Sequence, residues 1–152
     1  MIHKFVNKRK MTGSKETAYK LIQNSEEWPD FIKECLKVNI IERNDDSYLR
    51  YMESRVNGKL VSMRTCCEFF PGEYKMKFRQ VKSPWPIKSN TGEWYVYDVE
   101  DGKFEMVLIH CVEAKYGYLG DLIIKLIIGK QFVHNHAELV LSEFKKKIEN
   151  IS

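Results

Sequence analysis

Cysteine, proline and glycine are all scarce in this chain of 152 residues, and none of them forms a familiar pattern. The four cysteines lack C-x-x-C spacing. The side chains of the adjacent pair Cys66 and Cys67 would point to opposite faces of a strand, so they cannot ligate one metal ion together. The four prolines and eight glycines form no linker and no repeat, which predicts a single domain over residues 1–152. Because the four cysteines show no disulfide or metal-binding pattern, we expect free thiols in a reducing cytoplasm.

Long hydrophobic runs are also missing. The most apolar stretch, 122–128, is interrupted by Lys125 and is much shorter than the ~20 residues that a membrane span requires. Residues 1–5 lack the apolar segment of a secretory signal peptide. The sequence thus predicts a cytoplasmic protein without stable membrane insertion.

The sequence motifs of several enzyme classes are absent as well. There is no G-x-S-x-G, no Walker loop and no dinucleotide-binding fingerprint, which argues against hydrolases, NTPases and dehydrogenases. His134 and His136 are two positions apart in a helical segment, on nearly opposite sides, so we expect no metal there, and no cofactor is indicated elsewhere. The net charge of +4, from 25 Lys and Arg against 21 Asp and Glu, suits a solvated surface, an anionic ligand or an acidic partner. It is too weak to indicate nucleic-acid binding.

The chain does contain clear changes of hydrophobic period. Residues 2–10 are typical of a short polar strand, and Ser14 and Ser25 are each placed to cap a short helix. Between residues 36 and 114, apolar and polar side chains alternate in six stretches that are separated by turn signals. The strongest of these signals is Asn57-Gly58, because a tight hairpin turn needs residues that tolerate positive φ.

From about residue 121 to residue 150, apolar positions three or four apart predict one long amphipathic helix. Its apolar stripe consists of Leu122, Leu126, Gly129, Val133, His136, Val140 and Phe144. The order of elements is then one strand, two short helices, six antiparallel strands and a long helix. This order predicts an α+β protein in which a curved antiparallel sheet of about seven strands wraps around the C-terminal helix and leaves a cavity between them.

Four motifs make this order more specific. Glu26–Phe31 has the sequence EEWPDF, Val61–Arg64 is VSMR, Gly92–Tyr95 is GEWY, and the segment Glu105–Glu113 begins with EM. They resemble the E-x-W-P-x-F, V-S-x-R, W-x-Y and E-M segments of the polyketide cyclase/dehydrase family, which includes the bacterial aromatase/cyclases of type II polyketide pathways. The resemblance extends over residues 10–150 and implies the helix-grip fold of the START and Bet v 1-like superfamily.

The resemblance also implies where a substrate would bind. The arginine of V-S-x-R anchors the polyketide in that family, which makes Arg64 the expected anchor and oxyanion stabiliser, with Ser62 beside it. His110 takes the place of the family's pocket glutamine on the last strand, and these three are the expected catalytic residues. The expected substrate-binding residues are Trp28, Cys35, Leu60, Cys66, Phe78, Trp94 and Leu108. Cys35 replaces a family tyrosine, and Leu60 and Leu108 replace tryptophans, so the pocket is expected to be less aromatic.

Strand alternation places two sets of residues on common faces. These sets are Leu60, Ser62, Arg64 and Cys66 on one strand and Met106, Leu108, His110 and Val112 on the last strand. Arg64 then either faces a ligand or forms an ion pair with Glu68 or Glu53, since a lone charge among apolar neighbours is costly. His110 is either a satisfied core histidine or a proton-transfer residue. Trp28 and Trp94 fit the core and the pocket lining equally well.

The implied function is that of a cofactor-free enzyme. It would hold a poly-β-ketone, tethered to an acyl carrier protein, in a shape that favours aldol cyclisation and dehydration. Arg64 would stabilise the oxyanion, and Ser62 or His110 would relay protons. The alternative is a non-catalytic carrier of a lipid, isoprenoid or quinone, and a partner-binding module is a third possibility. Both a monomer and a homodimer are compatible with the sequence.

Overall fold

The computed structural model describes residues 2–56, 58–83, 87–125 and 133–151. Seven strands and three α-helices account for most of them, together with two 3₁₀ helices at Ser25–Asp30 and Pro71–Glu73. The strands are β1 (Ile2–Thr12), β2 (Cys35–Arg43), β3 (Ser47–Val56), β4 (Lys59–Phe70), β5 (Lys75–Gln80), β6 (Ile87–Glu100) and β7 (Lys103–Ala114). The α-helices are α1 (Lys15–Gln23), α2 (Gly117–Ile123) and α3 (Asn135–Ile151).

All seven strands form one antiparallel sheet with the order β1-β7-β6-β5-β4-β3-β2. Consecutive strands from β2 to β7 pair with each other, so hairpin connections are sufficient to join them. The pair β1–β7 instead brings together strands that are far apart in the sequence. Register shifts in the β2–β3 and β6–β7 pairs mark bulges, which increase the local bend of a sheet. The predicted α+β architecture with a curved antiparallel sheet of about seven strands is confirmed.

The Ser14 cap and the glycine of the β3–β4 turn act as the sequence predicts, whereas Ser25 does not act as a cap. The hydroxyl of Ser14 accepts a hydrogen bond from the backbone N–H of Thr17 and caps α1. The second short helix is a 3₁₀ helix, Ser25–Asp30, and contains Pro29. The prediction that Ser25 caps it is wrong: Ser25 is its first residue, and its hydroxyl pairs instead with Arg50 and with the Tyr48 hydroxyl. Gly58 has a φ of 77°, the conformation that the β3–β4 hairpin turn needs, whereas Asn57 lies outside the described residues.

The C-terminal helical region differs from the prediction in its bounds. Helix α2 begins at Gly117, before the predicted start, and α3 ends at Ile151. The predicted stripe positions Leu126 and Gly129 lie outside the described residues. In α3 the buried side chains are Ala137, Val140, Leu141, Phe144 and Ile148. No described helix combines the length and the apolar character needed to cross a bilayer.

The first turn of α3 is held against β1 by polar contacts. The buried amide of Asn7 donates to the backbone oxygen of His134 (3.2 Å) and to Oε1 of Glu138 (2.8 Å). Arg9 forms an ion pair with the same Glu138 at 3.0 Å. The amide hydrogen bond is the main reason why the pKa of Glu138 lies below its usual range. Because His134 faces β1, His136 points away from it, as the two-residue spacing predicts.

One glycine in the middle of the sheet allows close packing. Gly92 on β6 pairs with Phe78 on one side and with His110 on the other. A Cβ atom at this position would lie 2.6 Å from the Phe78 ring and would collide with the backbone oxygen of Ile109. The missing side chain therefore lets the Phe78 ring lie across β6, where it meets the His110 ring edge to face at 5.4 Å.

We expect the Gly92→Ala variant to lose about 2–3 kcal/mol of unfolding free energy, because the backbone oxygen cannot move away and Phe78 must leave its rotamer. The measurement is urea denaturation followed by circular dichroism. Gly72→Ala is the matched control, since a Cβ there meets nothing within 4 Å, and its stability should change by less than about 0.5 kcal/mol. Equal stability of the two variants would contradict this account of Gly92.

Candidate functional site

A cavity of about 150 Å³ lies between the inner face of the sheet and helix α3. Apolar side chains provide most of its wall, and a smaller number of polar groups interrupt it. The apolar and aromatic lining consists of Trp28, Ile32, Cys35, Met52, Val56, Met63, Phe78, Trp94, Leu108, Val133, Ala137 and Val140. The polar lining consists of Arg50, Ser54, Thr65, Gln80, Asn90, His110 and His136. This composition is typical of a ligand pocket with a few orienting polar groups.

Four of these polar side chains carry a buried atom without a hydrogen-bond partner among the described residues. The atoms are Arg50 Nε, Thr65 Oγ1, Asn90 Oδ1 and His110 Nδ1. A buried polar atom that makes no hydrogen bond costs about 1–3 kcal/mol, so native structures rarely keep several of them together. Their convergence on one cavity indicates that a ligand or solvent completes their hydrogen bonding.

Arg50 is the charged group in this wall, and neutral neighbours hold it. Its side chain projects from β3 and the residue is 6% exposed. Nη1 donates to Oγ of Ser25 (2.9 Å), and that hydroxyl also pairs with the Tyr48 hydroxyl (2.6 Å). The guanidinium carbon lies 4.8 Å from the centre of the Trp28 ring, in cation–π geometry.

No described acidic residue forms an ion pair with Arg50. Within the part of the chain that the structure describes, no carboxylate oxygen lies within 4 Å of its guanidinium. A buried charge usually has an ionic partner, because removing it from water is expensive. An anionic or strongly polarised oxygen in the cavity would supply this partner, and the free Nε–H is a donor suited to it.

Two histidines line the same cavity, one on the sheet and one on α3. Burial, with a smaller contribution from the positive charge of His136, lowers the pKa of His110 to about 4. Burial also lowers the pKa of His136, and Glu34 opposes this effect. Both imidazoles are therefore neutral at neutral pH, and each has a ring nitrogen with a lone pair, although burial makes it a weaker base than an exposed imidazole. The unpartnered Nδ1 of His110 is one such acceptor or donor position.

Six of the residues expected at the site do line the cavity. They are Trp28, Cys35, Phe78, Trp94, Leu108 and His110. The two tryptophan rings are 5.5 Å apart, and both contact Phe144 of α3, at 5.5 Å from Trp28 and 5.1 Å from Trp94. They thus belong both to the core and to the pocket wall. Burial raises the pKa of the Cys35 thiol, while Arg50 opposes the shift.

The expectation that Leu60, Ser62, Arg64 and Cys66 face the cavity is wrong. Arg64 and Ser62 are exposed on the outer face of β4, and Leu60 is 67% exposed. Cys66 is half-buried on that same outer face, where Nη2 of Arg79 lies 3.6 Å from its sulfur. The inward residues of β4 are instead Met63, Thr65 and Cys67. Because side chains alternate, a face assignment shifted by one residue reverses the whole strand.

Arg50 is the residue that the sequence reasoning missed. Its face of β3 otherwise carries Tyr48, Met52, Ser54 and Val56, all of them buried and uncharged. An arginine in the middle of such an alternating apolar face is the signal that could have identified it. The register places Arg50 opposite Thr65 of β4, so the guanidinium projects to the inner face of the sheet.

The described residues contain no group of three histidine, cysteine or acidic side chains that could hold a metal ion. The cavity instead offers a cation, two neutral imidazoles and aromatic walls. Together with a curved antiparallel sheet that packs around a C-terminal helix, these features define a helix-grip protein with an internal cavity.

The family model described as polyketide cyclase / dehydrase and lipid transport matches residues 11–123. The chain belongs to this family.

Known proteins similar to this chain agree with that assignment. The actinorhodin polyketide synthase bifunctional cyclase/dehydratase of Streptomyces coelicolor is 26% identical over 108 residues, which are 71% of this chain and 34% of that protein. The chain thus spans about a third of the length of the curated relatives it matches.

Two solved structures share the fold over nearly the whole chain. A protein from Thermus thermophilus superposes with a TM-score of 0.83 at 18% identity, covering 99% of each chain. The Zhui aromatase/cyclase from a Streptomyces species superposes with a TM-score of 0.78 at 11% identity, covering 97% of this chain and 96% of that one. At these identities the similarity concerns the fold alone.

The depressed pKa of His110 predicts acid destabilisation. Between the unfolded pKa of about 6.5 and the folded pKa of about 4, the unfolded chain binds the proton first, so stability falls as the pH falls. This single residue should account for about 3 kcal/mol of unfolding free energy lost between neutral pH and pH of about 4.

The test compares urea unfolding of the wild type and the His110→Gln variant across this pH range. The variant lacks the titrating group, so its unfolding free energy should fall by about 3 kcal/mol less than that of the wild type between neutral pH and pH of about 4. NMR titration of the His110 ring in the wild type provides the direct check. Parallel pH profiles for the two proteins, or a His110 pKa near 6.5, would contradict the burial of a neutral imidazole.

Proposed function

We propose that this chain binds a poly-β-ketone in the cavity and promotes its aldol cyclisation and dehydration, with Arg50 as anchor and oxyanion stabiliser. The observation that carries the proposal is the buried Arg50 guanidinium, which lacks a carboxylate partner among the described residues and faces a mostly apolar cavity. Such a group favours a ligand whose oxygen is negative or becomes negative during the reaction. A ketone that enolises is a ligand of this kind.

The chemistry asked of the side chains is modest. In the enolisation step a neutral imidazole, from His110 or His136, takes the proton from a carbon between two carbonyls, and the electron pair moves onto the carbonyl oxygen. Arg50 stabilises that oxyanion by charge and by its free Nε–H. The enolate carbon then attacks a second carbonyl of the same polyketide, and the imidazolium returns its proton to the alkoxide that forms. In the dehydration a neutral imidazole takes the second proton from the same carbon, the electron pair forms the C=C bond as the hydroxyl leaves, and the imidazolium protonates that hydroxyl to water.

The apolar walls contribute by shape. The rigid rings of Trp28, Trp94 and Phe78 line a cavity of about 150 Å³, so a polyketide must bend to fit in it. Holding two reacting carbons close replaces much of the entropy loss of ring closure. A cavity with little water also strengthens the interaction between Arg50 and the oxyanion.

The family and the relatives support this proposal. The similar Streptomyces coelicolor protein is described as a cyclase/dehydratase of a polyketide synthase. We further propose that the substrate arrives tethered to an acyl carrier protein and that the protein works in the reducing cytoplasm. The four free cysteines, Cys35, Cys66, Cys67 and Cys111, are compatible with that compartment.

A non-catalytic carrier is the second candidate, favoured by the mostly apolar lining of the cavity. A carrier of an uncharged lipid or isoprenoid does not need the Arg50 cation in its wall. The two functions differ in what they predict for Arg50, and the following two experiments use that difference.

The first experiment measures the pKa of 4-nitrophenol when it is bound in the cavity, from its phenolate absorbance. Contact between the Arg50 guanidinium and the phenolate oxygen should lower the pKa of the bound probe by about 1 or more relative to the free probe. In Arg50→Met the pKa of the bound probe should instead rise above the free value, because only burial remains. Arg64→Met, an equal change on the outer face, should behave as the wild type.

If Arg50→Met fails to fold, Arg50→Lys keeps the charge without the planar fork and should give an intermediate pKa of the bound probe. A bound probe whose pKa is equal in the wild type and in both Arg50 variants would overturn the oxyanion role.

The second experiment measures product formation with a minimal ketosynthase and an acyl carrier protein. Arg50→Met should reduce the yield of cyclised aromatic product about 10²-fold or more, which is the usual effect of losing an oxyanion donor. Arg64→Met should keep the wild-type yield within about twofold. A carrier would leave the spontaneous product mixture unchanged in all three proteins. That outcome, over several chain lengths, would reject the cyclase proposal.

A further inference from the structure

A chain of hydrogen-bonded hydroxyl groups runs from Arg50 to the end of helix α1. Nη1 of Arg50 lies 2.9 Å from Oγ of Ser25, and this Oγ lies 2.6 Å from the Tyr48 hydroxyl. The Tyr48 hydroxyl lies 2.9 Å from the backbone oxygen of Gln23. Ser25 and Tyr48 are both buried, so bulk water does not compete for these hydrogen bonds. We call the two hydroxyls, Ser25 and Tyr48, the hydroxyl relay.

The two ends of the relay determine which atom donates at each step. A guanidinium has only donors, so the Ser25 oxygen accepts from Arg50. A backbone carbonyl only accepts, so Tyr48 donates to Gln23. Each hydroxyl has one proton, and Ser25 therefore donates its own to the Tyr48 oxygen. Burial raises the pKa of Tyr48 while Arg50 opposes the shift, so the phenol keeps its proton at neutral pH.

The relay ends where α1 carries partial negative charge. Gln23 is the last residue of α1, and the carbonyls of the last turn have no partners within a helix. The indole N–H of Trp28 donates to another of them, the backbone oxygen of Leu21 (2.9 Å). The Trp28 ring lies 4.8 Å from the guanidinium carbon of Arg50. Two routes thus connect the cation with the negative end of the helix dipole, and neither route uses a carboxylate.

Hydroxyl groups hold a cation without neutralising it. A carboxylate in the place of the Ser25 hydroxyl would form a stronger hydrogen bond with the guanidinium. It would also cancel much of the positive charge that an oxyanion in the cavity meets. The relay fixes Nη1 of Arg50, while Nε of the same guanidinium has no hydrogen-bond partner among the described residues. This arrangement leaves both the charge and one donor for a ligand.

We infer that Tyr48 and Ser25 are positioning residues, which fix the Arg50 guanidinium through a neutral relay anchored on α1 and so keep its charge available to an oxyanion in the cavity. The inference rests on the proposed function in that Arg50 has to meet that oxyanion. It extends the working site to two residues that do not line the cavity, and it gives a reason why the partner of Arg50 is a hydroxyl.

The test measures the pKa of 4-nitrophenol bound to the full chain. Tyr48→Phe breaks the link to α1, and at least about half of the wild-type lowering of the probe's pKa should be lost because the guanidinium is no longer fixed. Ser25→Asp should lose nearly all of the lowering, because the new carboxylate cancels the charge. Ser25→Thr keeps the hydroxyl and should give the wild-type value. A merely structural role predicts instead that Ser25→Asp, with its stronger hydrogen bond, leaves the probe unchanged.

Tyr19→Phe is the matched control. Tyr19 is 5% exposed and Tyr48 is 4% exposed, and the Tyr19 hydroxyl also donates to a backbone oxygen, that of Lys75 (2.7 Å). Both variants thus lose a buried tyrosine hydroxyl, and urea unfolding should show a loss of stability in each. Tyr19 has no hydrogen bond to the relay, so Tyr19→Phe should leave the pKa of the bound probe at its wild-type value.

Two results would overturn the inference. One is a wild-type pKa of the bound probe in both Tyr48→Phe and Ser25→Asp, and the other is an equal shift in Tyr48→Phe and Tyr19→Phe. If Ser25→Asp fails to fold, the comparison of the two tyrosine variants decides. Arg50→Met distinguishes the two levels of the argument. A bound-probe pKa that Arg50→Met does not change rejects the proposed function, whereas a change in Arg50→Met alone rejects only the relay.

Discussion

A buried guanidinium that has no ionic partner in the described part of the chain is the constraint on which this end of the molecule depends. Ser25 accepts a hydrogen bond from the inward Arg50 side chain, and the Trp28 ring lies 4.8 Å from its guanidinium carbon, so both contacts stabilise the buried charge. Both residues belong to the 3₁₀ helix Ser25–Asp30, and Trp28 in turn packs on Phe144 of α3. The contacts of one cation therefore connect a strand, a short helix and the C-terminal helix around the cavity.

The same arrangement relates stability to the proposed chemistry. Burial keeps His110 and His136 neutral, which weakens the protein in acid and leaves both rings able to accept protons. Arg50, and the Thr65 and Asn90 atoms that find no hydrogen-bond partner among the described residues, are unfavourable in a mostly apolar wall. Polar groups of this kind are tolerated where a ligand completes them, and the conflict between stability and polarity locates the site.

The sequence predicted much of the fold and part of the site. Alternation and turn signals were enough for the strands because hairpin connections place sequence neighbours side by side. The predicted inward face of β4 is wrong. The V-S-x-R resemblance favours the face that carries Arg64, whereas the opposite face, with Val61, Met63, Thr65 and Cys67, is uncharged and is the one that is buried.

By itself, then, the sequence determined which segments are strands and helices, where they turn, and that a sheet meets a C-terminal helix. These features depend on local periodicity, capping and glycine conformation, which act within a few residues. The tertiary structure alone decided which side of each strand the helix covers, and therefore that Arg50 and not Arg64 is buried. Alternation specifies two faces equally well, and only packing against α3 and the 3₁₀ helix makes one of them the interior.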